Sequence, residues 1–282
     1  MIPTAFDYQR ATSLDDALKK MAAAGGRAKF LAGGHSLIPL MKLRLSEPGT
    51  LIDIARIPEL AGIRETGGTI EIGAATTHHA VATSSLLRDR CPVITDAAAT
   101  IGDAQVRNRG TIGGSLAHAD PSADMPAVMV ALEAEIQLRG AKGARTVKAL
   151  DFFQDLFTVD MQPDEILTAV SFAPAKASAY VKLFQKASHY AIVGVAAVLT
   201  ASGGKIQSAR LGLTGASTHA VRLTTAEQAL AGQGKDGVEQ ATRGAGNELA
   251  AVNSDIHAGE EYRRTMVGVF AKRAVLAALA RG

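Results

Sequence analysis

Cysteine and tryptophan are nearly missing from this 282-residue chain, which has one cysteine and no tryptophan. A lone thiol, Cys91, cannot form an internal disulfide and cannot supply the four thiolates that an iron–sulfur cluster needs. Cys91 stands before Pro92 among apolar residues, so we expect a buried and unreactive thiol. The sequence therefore predicts neither a disulfide framework nor an iron–sulfur centre on this chain, and we assign no metal ligands to it.

Runs of like charge and long apolar stretches are missing too. The formal net charge is +3, and the basic residues are scattered without interleaved aromatic side chains, which argues against nucleic-acid binding. The longest strongly apolar run, 191–199, is too short to span a bilayer. Since the first residues also lack the pattern of a secretory signal, we expect a cytoplasmic protein.

What remains is an ordinary globular composition, 47% hydrophobic and 20% charged, with enough apolar residues for two or three small domains. The pattern of strands and helices divides the chain into an α/β unit, an α+β unit and a C-terminal unit of three strands followed by helices. We place these units at 1–58, 59–175 and 178–282.

Three local patterns are specific enough to check. Gly67-Gly68 between two apolar runs predicts a two-residue hairpin joining strands 63–66 and 69–73. The residues that follow predict a helix over 77–87. A further helix is expected over 124–134, with Asp124 as its N-cap.

Two glycine-rich turns, GGHS at 33–36 and TIGGS at 111–115, are the most informative feature. We expect each to follow an apolar strand and to open a helix. Paired glycines there let consecutive backbone N–H groups face one concave spot, and a helix N-terminus behind them favours an anion. One such turn holds a phosphate. Two of them, about eighty residues apart, predict a site for a diphosphate and hence for a dinucleotide.

The usual dinucleotide fingerprints do not apply here. Neither turn has the glycine spacing of a Rossmann fold, and no acidic residue ends a second strand at the expected distance. No glycine is followed by the lysine and hydroxyl residue of a Walker loop. The dinucleotide site must therefore belong to another fold.

Four motifs in order carry a family resemblance: AGGHSLIP at 32–39, TIGGS at 111–115, DPSADMPA at 120–127 and KASHYA at 186–191. In these residues the chain resembles the FAD-binding (medium) subunits of the molybdenum hydroxylases, the xanthine dehydrogenase family. The likeness runs over essentially the whole chain. Within the family it is greatest to the flavin subunits of aerobic carbon monoxide dehydrogenases.

The resemblance implies an α+β fold. Two N-terminal α/β subdomains would form the FAD-binding fold shared with vanillyl-alcohol oxidase and p-cresol methylhydroxylase. A C-terminal three-stranded antiparallel sheet with helices would follow them.

It also implies a function and partners. The chain would be the FAD-carrying electron-transfer subunit of a heterotrimeric molybdenum-containing dehydrogenase, in an expected dimer of heterotrimers. A small subunit would carry two [2Fe–2S] clusters, and a large subunit would carry the molybdopterin cofactor and oxidise the substrate. Electrons would leave through FAD to a quinone, NAD or oxygen. If the acceptor is a quinone, the assembly would contact that quinone or the membrane surface.

The resemblance assigns no substrate-oxidising residue to this chain and implies a set of FAD-binding residues. They are Ala32, Gly33, Gly34, His35, Ser36, Ile101, Thr111, Gly113, Gly114, Ser115, Asp124, Leu167, Lys186 and Tyr190.

Particular roles follow within that set. Both glycine pairs would bring backbone amides to the diphosphate, and Ser36 would cap a helix while bonding a phosphate. Tyr190 would cover one flavin face, and Lys186 would lie near the flavin N1–C2=O locus. Asp124 would meet the ribityl or isoalloxazine region, with helix capping as its alternative role. Ser115 stands where many family members have asparagine.

Several alternatives stay open at this stage. The substrate of the partner subunit would be carbon monoxide, an aldehyde, xanthine or an N-heteroaromatic compound. A self-sufficient FAD oxidase of the same fold is a second candidate, although such enzymes usually have a larger, aromatic-lined substrate domain. A non-enzymatic FAD-binding scaffold or assembly chaperone is a third.

Overall fold

The computed structural model describes residues 2–282 and begins with a small parallel sheet of strand order β1-β3-β2. Ser13 caps the first helix by accepting a hydrogen bond from the Asp16 amide, and the helix buries Ala17 and Met21. The elements of this part are β1 (Asp7–Arg10), α1 (Leu14–Ala23), β2 (Ala28–Leu31), α2 (Leu37–Lys42) and β3 (Thr50–Asp53). The first glycine turn therefore leaves the carboxyl end of β2, where ligands commonly bind in parallel sheets.

The second part is a five-stranded antiparallel sheet, of order β4-β5-β10-β6-β7, covered by short helices. Its first hairpin turns at Gly67 and Gly68, whose φ angles of 60° and 80° are those that a primed two-residue turn requires. The strands are β4 (Ile63–Thr66), β5 (Thr69–Gly73), β6 (Glu135–Gly140), β7 (Gly143–Lys148), the paired β8 (Phe153–Asp155) and β9 (Thr158–Val159), and β10 (Ile166–Phe172). The helices are α3 (His78–Thr83), α4 (Ser85–Arg90), α5 (Pro92–Thr100), α6 (Ala104–Arg107), α7 (Ile112–His118), α8 (Asp124–Leu132) and α9 (Ala149–Phe152).

The third part is an antiparallel sheet of order β11-β12-β13-β14 with a long C-terminal helix packed on it. That helix buries Val267, Ala271 and Val275 against the sheet. The elements are β11 (Ser178–Phe184), β12 (Ala191–Ser202), β13 (Lys205–Thr214), β14 (Val221–Arg222), α10 (Thr224–Leu230), α11 (Val238–Thr242) and α12 (Glu260–Leu279). The three long strands are those expected from the sequence, and β14 adds a two-residue fourth.

Helix α8 joins the second part to the third. Every residue of α8 is buried, and the helix packs on β12 and β13. A Cβ on Gly212 would lie 2.0 Å from the carbonyl oxygen of Ala127, so this glycine lets the helix lie directly on the sheet. The contact fixes Asp124, the first residue of α8, close to the C-terminal sheet.

The α+β fold class and the long elements agree with the sequence predictions, but two local expectations are wrong. The helix expected over 77–87 is two helices, because Ser84 is extended (φ −67°, ψ 119°) and its hydroxyl caps α4 at the Leu87 amide. The second glycine turn follows α6 rather than a strand, and Thr111 makes just an isolated bridge to Thr77. The domain boundaries stay a prediction.

Across residues 2–282, no helix is both long and apolar enough to cross a membrane.

Candidate functional site

A cleft of about 570 Å³ gathers the predicted site residues from all three parts of the chain. This volume is typical of a small-molecule or cofactor site. Of the predicted set, Lys186 alone does not line it. The lining members are Ala32, Gly33, Gly34, His35, Ser36, Ile101, Thr111, Gly113, Gly114, Ser115, Asp124, Leu167 and Tyr190. The tertiary structure thus brings residues of both glycine turns and of the C-terminal unit to one surface.

The first glycine loop, 32–36, has free backbone donors. Within residues 2–282, the amides of Gly33, Gly34, His35 and Ser36 donate no hydrogen bond to another protein group. Gly34 has a φ of 80°, a left-handed conformation that favours glycine. Consecutive free amides in such a turn form a cavity that suits an anion.

Ser36 does not cap α2 in the way the sequence suggested. It occupies the N-cap position, but its backbone is helical (φ −99°, ψ −51°) and its side chain accepts no capping hydrogen bond. The expected side-chain cap is therefore wrong. The hydroxyl lies on the cleft and remains able to bond a ligand.

The second glycine loop differs, because its amides are already bonded within the protein. The Gly113 amide donates to the Ala74 carbonyl (2.9 Å), the Gly114 amide to Thr111 Oγ1 (3.1 Å) and the Ser115 amide to the Thr111 carbonyl (3.0 Å). The expected second row of free amides is therefore wrong. This loop presents the hydroxyls of Thr111 and Ser115 and the space that Gly114 leaves without a side chain.

Gly33 lets the first loop lie against Arg109 and Gly110, the residues just before the second loop. A Cβ at this position would lie 2.2 Å from the carbonyl oxygen of Arg109 and 2.8 Å from the Cα of Gly110. Both neighbours are backbone atoms, so a side chain would force these segments apart. The contact explains in physical terms why glycine is required at 33, beyond the freedom of its own backbone.

His78 lies at this junction and was missed by sequence reasoning. Its backbone amide donates to the carbonyl of Gly110 (2.9 Å), and the residue is 4% exposed. In the described chain neither ring nitrogen makes a hydrogen bond, and Nδ1 is fully sealed from solvent. Burial, with a smaller effect of His35, lowers the pKa of His78 to about 4, so the imidazole is neutral near pH 7.

Asp124 is held by the C-terminal sheet and does not cap α8. The N-cap of that helix is Ala123, and Asp124 is its first residue. Its buried carboxylate accepts hydrogen bonds from the Tyr180 hydroxyl and from Lys182 Nζ, the latter at 2.9 Å. Burial raises the pKa of Asp124, and both partners oppose that rise. Burial also raises the pKa of Tyr180 well above its usual value, which keeps the phenol protonated as a donor.

The lysine that contacts Asp124 is Lys182 and not Lys186. Lys186 is exposed and lies outside the cleft lining, so the structure does not place it at the predicted position. Lys182 is buried and donates to Asp124 and to the carbonyl of His189 (2.7 Å). Alternation along β11 was the available signal, because Tyr180 and Lys182 fall on the same face of that strand.

The loop 185–190 carries Tyr190 to the rim of the cleft. His189 has a φ of 63°, and its Nδ1 lies 2.9 Å from the carbonyl oxygen of Gly102 on the opposite wall. The Gln185 side-chain oxygen accepts hydrogen bonds from the backbone amides of Ala187 and Ser188, and these bonds make the loop compact. Tyr190 is 46% exposed and is therefore presented to both the cleft and solvent.

Two further titratable groups line the cleft beside the second loop. Burial raises the pKa of Asp120, with the bonded Ser122 amide opposing the rise. Burial lowers the pKa of His118, whose ring packs against Phe157 in a tilted arrangement at a centroid distance of 5.1 Å. In the part of the chain that the structure describes, no group of three or more His, Cys, Asp or Glu side chains is arranged to hold a metal.

Comparison with known proteins defines the class. Residues 4–175 match the family model of the FAD-binding domain in molybdopterin dehydrogenase, and residues 178–278 match the C-terminal domain of the CO dehydrogenase flavoprotein. The chain therefore belongs to the FAD-binding subunits of the molybdenum hydroxylase family, and it is an oxidoreductase subunit.

Individual relatives match over their full length. The carbon monoxide dehydrogenase medium chain of Hydrogenophaga pseudoflava is 40% identical over 286 residues, which cover 100% of this chain and 99% of the relative. A chain of the CO dehydrogenase from Oligotropha carboxidovorans superposes with a TM-score of 0.95 at 42% identity, with both chains fully covered. A chain of quinoline 2-oxidoreductase from Pseudomonas putida 86 superposes with a TM-score of 0.94 at 31% identity, and the match covers 99% of each chain. The family resemblance found in the sequence is confirmed.

The residues present fit the FAD that this family binds. Free amides at 33–36 suit a diphosphate, and the apolar side chains of Ile101 and Leu167 suit aromatic rings. The unpartnered Nε2 of His78, at the cleft wall, is a further place where a polar ligand group would be accepted.

Proposed function

We propose that this chain is the FAD-carrying electron-transfer subunit of a heterotrimeric molybdenum-containing dehydrogenase. A partner subunit with [2Fe–2S] clusters supplies the electrons, and a second partner with the molybdopterin cofactor oxidises the substrate. Bound FAD supplies the redox chemistry by accepting these electrons and passing them to an external acceptor, a quinone, NAD or oxygen. The observation that carries the proposal is the convergence of the predicted site residues, Lys186 excepted, on one cleft.

The protein's own contribution is to bind and orient the cofactor. The free amides of Gly33 to Ser36 receive the diphosphate, and the hydroxyls of Thr111 and Ser115 face it from the second loop. Asp124, held by Tyr180 and Lys182, presents a fixed carboxylate to the ribityl or flavin region. Tyr190, at the rim, shields one face of the flavin and limits what reaches it.

The cysteine count supports clusters on a separate chain. One cysteine in 282 residues cannot ligate a [2Fe–2S] centre, so any such cluster must lie on a partner chain. The partners proposed are a small [2Fe–2S] subunit and a large molybdopterin subunit, assembled as a dimer of heterotrimers.

Carbon monoxide is the substrate that we propose for the assembly. Full-length identity of 40% to a carbon monoxide dehydrogenase medium chain favours it. The same fold at 31% identity in quinoline 2-oxidoreductase keeps an N-heteroaromatic substrate as the second candidate.

Native purification under mild salt tests the assembly. We expect two further chains to co-elute, together with one FAD per copy of this chain, iron and molybdenum. Carbon monoxide should then bleach the flavin absorption anaerobically, and a quinone or NAD should restore it.

Each contrary result points to a different rival. A lone yellow protein that oxidises a small alcohol with oxygen would support the self-sufficient oxidase. A lone chain that binds FAD but transfers no electrons would support the scaffold or assembly role. Bleaching by quinoline but not by carbon monoxide would keep the electron-transfer function and change the substrate.

A further inference from the structure

His78 is a buried histidine whose polar atoms have no protein partner. Its residue exposure is 4%, and Nδ1 is sealed within the protein. Within the described residues Nε2 also makes no hydrogen bond but is not sealed, so at the wall of the cleft it is open to a ligand that would satisfy it.

The local packing seats this ring beneath the junction of the two glycine loops. A Cβ on Gly110 would lie 2.9 Å from Cδ2 and 3.4 Å from Nε2 of His78, so the ring uses the space that glycine leaves. Gly110 in turn touches Gly33 of the first loop. Gly33, Gly110 and His78 therefore pack in succession against one another. The Nε2–Cδ2 edge of the imidazole faces Gly110, where the first glycine loop meets the residues before the second.

The tautomer follows from the burial of Nδ1. A proton on Nδ1 would leave a buried N–H donor without an acceptor, which is rare in proteins. A proton on Nε2 leaves it free to donate toward the loop junction. The pKa of about 4 means that this donor is neutral at physiological pH.

We infer that His78 is a diphosphate-binding residue, which donates its Nε2–H as a neutral imidazole to the FAD diphosphate held by the first glycine loop. This inference rests on the proposed FAD-binding function. It adds a side-chain donor on the side of the second loop, whose own amides are bonded within the protein.

The test is a pair of substitutions with a matched control in the neighbouring residue. His78→Ala removes the donor, and His78→Gln keeps an N–H donor of similar reach on a flexible side chain. His79→Gln is the control, because His79 is exposed and does not line the cleft. FAD and ADP are titrated onto the FAD-depleted full-length chain, since ADP carries the diphosphate without the flavin.

We expect His78→Ala to weaken FAD and ADP binding by the same factor, about tenfold to a hundredfold, the usual value of a hydrogen bond to a charged group. His78→Gln should lose less, and His79→Gln nothing. Unchanged binding by His78→Ala, or a loss for FAD without a loss for ADP, would overturn the inference. If the unaltered chain bound neither compound, the FAD-binding function itself would fail.

A second measurement covers the case in which His78→Ala does not fold. Nitrogen NMR of the histidine-labelled, unaltered chain should show a neutral His78 protonated at Nε2, and ADP should shift that signal. A His78 signal insensitive to ADP, or one protonated at Nδ1, would refute the proposed contact.

Discussion

Lys182 Nζ lies 2.7 Å from the carbonyl oxygen of His189, within the loop that carries Tyr190. The same ammonium group donates to Asp124 at 2.9 Å, so one buried lysine joins the C-terminal sheet, the cleft carboxylate and the rim of the cleft. The hydrogen bond from Lys182 thereby helps to hold the left-handed backbone of His189 in place. The position of Tyr190 depends on a residue that lies outside the cleft lining.

Loss of Lys182 should be costly. Lys182→Met leaves the Asp124 carboxylate buried without its cation, which typically destabilises a protein by about 3–5 kcal/mol. Lys186→Met, at an exposed lysine in the loop after β11, should change the free energy of unfolding by less than about 0.5 kcal/mol. Urea denaturation measures both variants. Adding Asp124→Asn to Lys182→Met should recover part of the loss, and equal stability of the two lysine variants would contradict this account.

Tyr190 should control the reactivity of bound FAD rather than its retention. Tyr190→Ala removes the ring from the cleft rim, so we expect unchanged FAD content and faster reoxidation by external acceptors, whereas Tyr190→Phe keeps the shielding ring. Stopped-flow reoxidation of the reduced complex measures this. Tyr262→Ala is the control, because Tyr262 is a similarly exposed tyrosine on α12. An unchanged rate in Tyr190→Ala would remove Tyr190 from the site.

Gly114 should be required for FAD binding but not for folding. Its added Cβ would meet just the rotatable Thr111 hydroxyl, at 2.9 Å, and otherwise project into the cleft. Gly114→Val should therefore abolish FAD retention with the C-terminal unit still folded, and Gly114→Ala should weaken binding less. Gly259→Ala, at a glycine with open space around it, should bind normally. Flavin content and circular dichroism report the two effects, and a normal flavin content in Gly114→Val would refute the role of this loop.

His78 should make the flavin-free chain less stable in acid. The pKa of His78 is about 4 in the folded protein, against an ordinary 6.5. Below pH 6.5 this imidazole is therefore protonated in the unfolded chain while it stays neutral in the folded chain. This contribution to stability falls by up to about 1.4 kcal/mol per pH unit, and by roughly 3 kcal/mol in total near pH 4. Denaturation curves of the unaltered chain and His78→Gln should diverge over this range. Parallel pH profiles would show that His78 is not buried as described.

Cys91 should be inert in the folded protein. Burial raises its pKa to about 12, so almost no thiolate exists at pH 8. We expect no reaction of the native chain with a disulfide reagent, and one equivalent of reaction in denaturant. Rapid labelling of the native chain would show that the second part of the fold opens around Cys91.

Sequence patterns predicted the strands and turns well where the determining interactions are local. Gly67 and Gly68 predicted the hairpin and the correct ends of β4 and β5, because two consecutive positive φ angles favour glycine at both positions. The prediction of one helix over 77–87 was wrong because the Ser84 hydroxyl caps a new helix and so competes with continuation of the first. The periodicity of apolar residues carries no information about such a cap.

The predicted site residues, Lys186 excepted, line one cleft, and their role in binding FAD stays a prediction. The first loop has free amides, as its glycines suggested, whereas those of the second bond to Thr111 and to Ala74. Which amides stay free depends on what folds against them, and Ala74 lies far from Gly113 in sequence. Burial of a lysine likewise depends on the sheet around it: Lys182 is buried against Asp124, whereas Lys186, which the motif indicated, is exposed.

By itself, the sequence determined the family, the two glycine turns and the inability of this chain to ligate an iron–sulfur cluster, because motif order, glycine positions and cysteine count are properties of the chain. The tertiary structure alone decided how the site is held together. Asp124 and Lys182 are 58 residues apart, and the ring of His78 lies against Gly110. Burial and hydrogen-bond partners arise from contacts between distant segments, and these contacts exist only once the chain has folded.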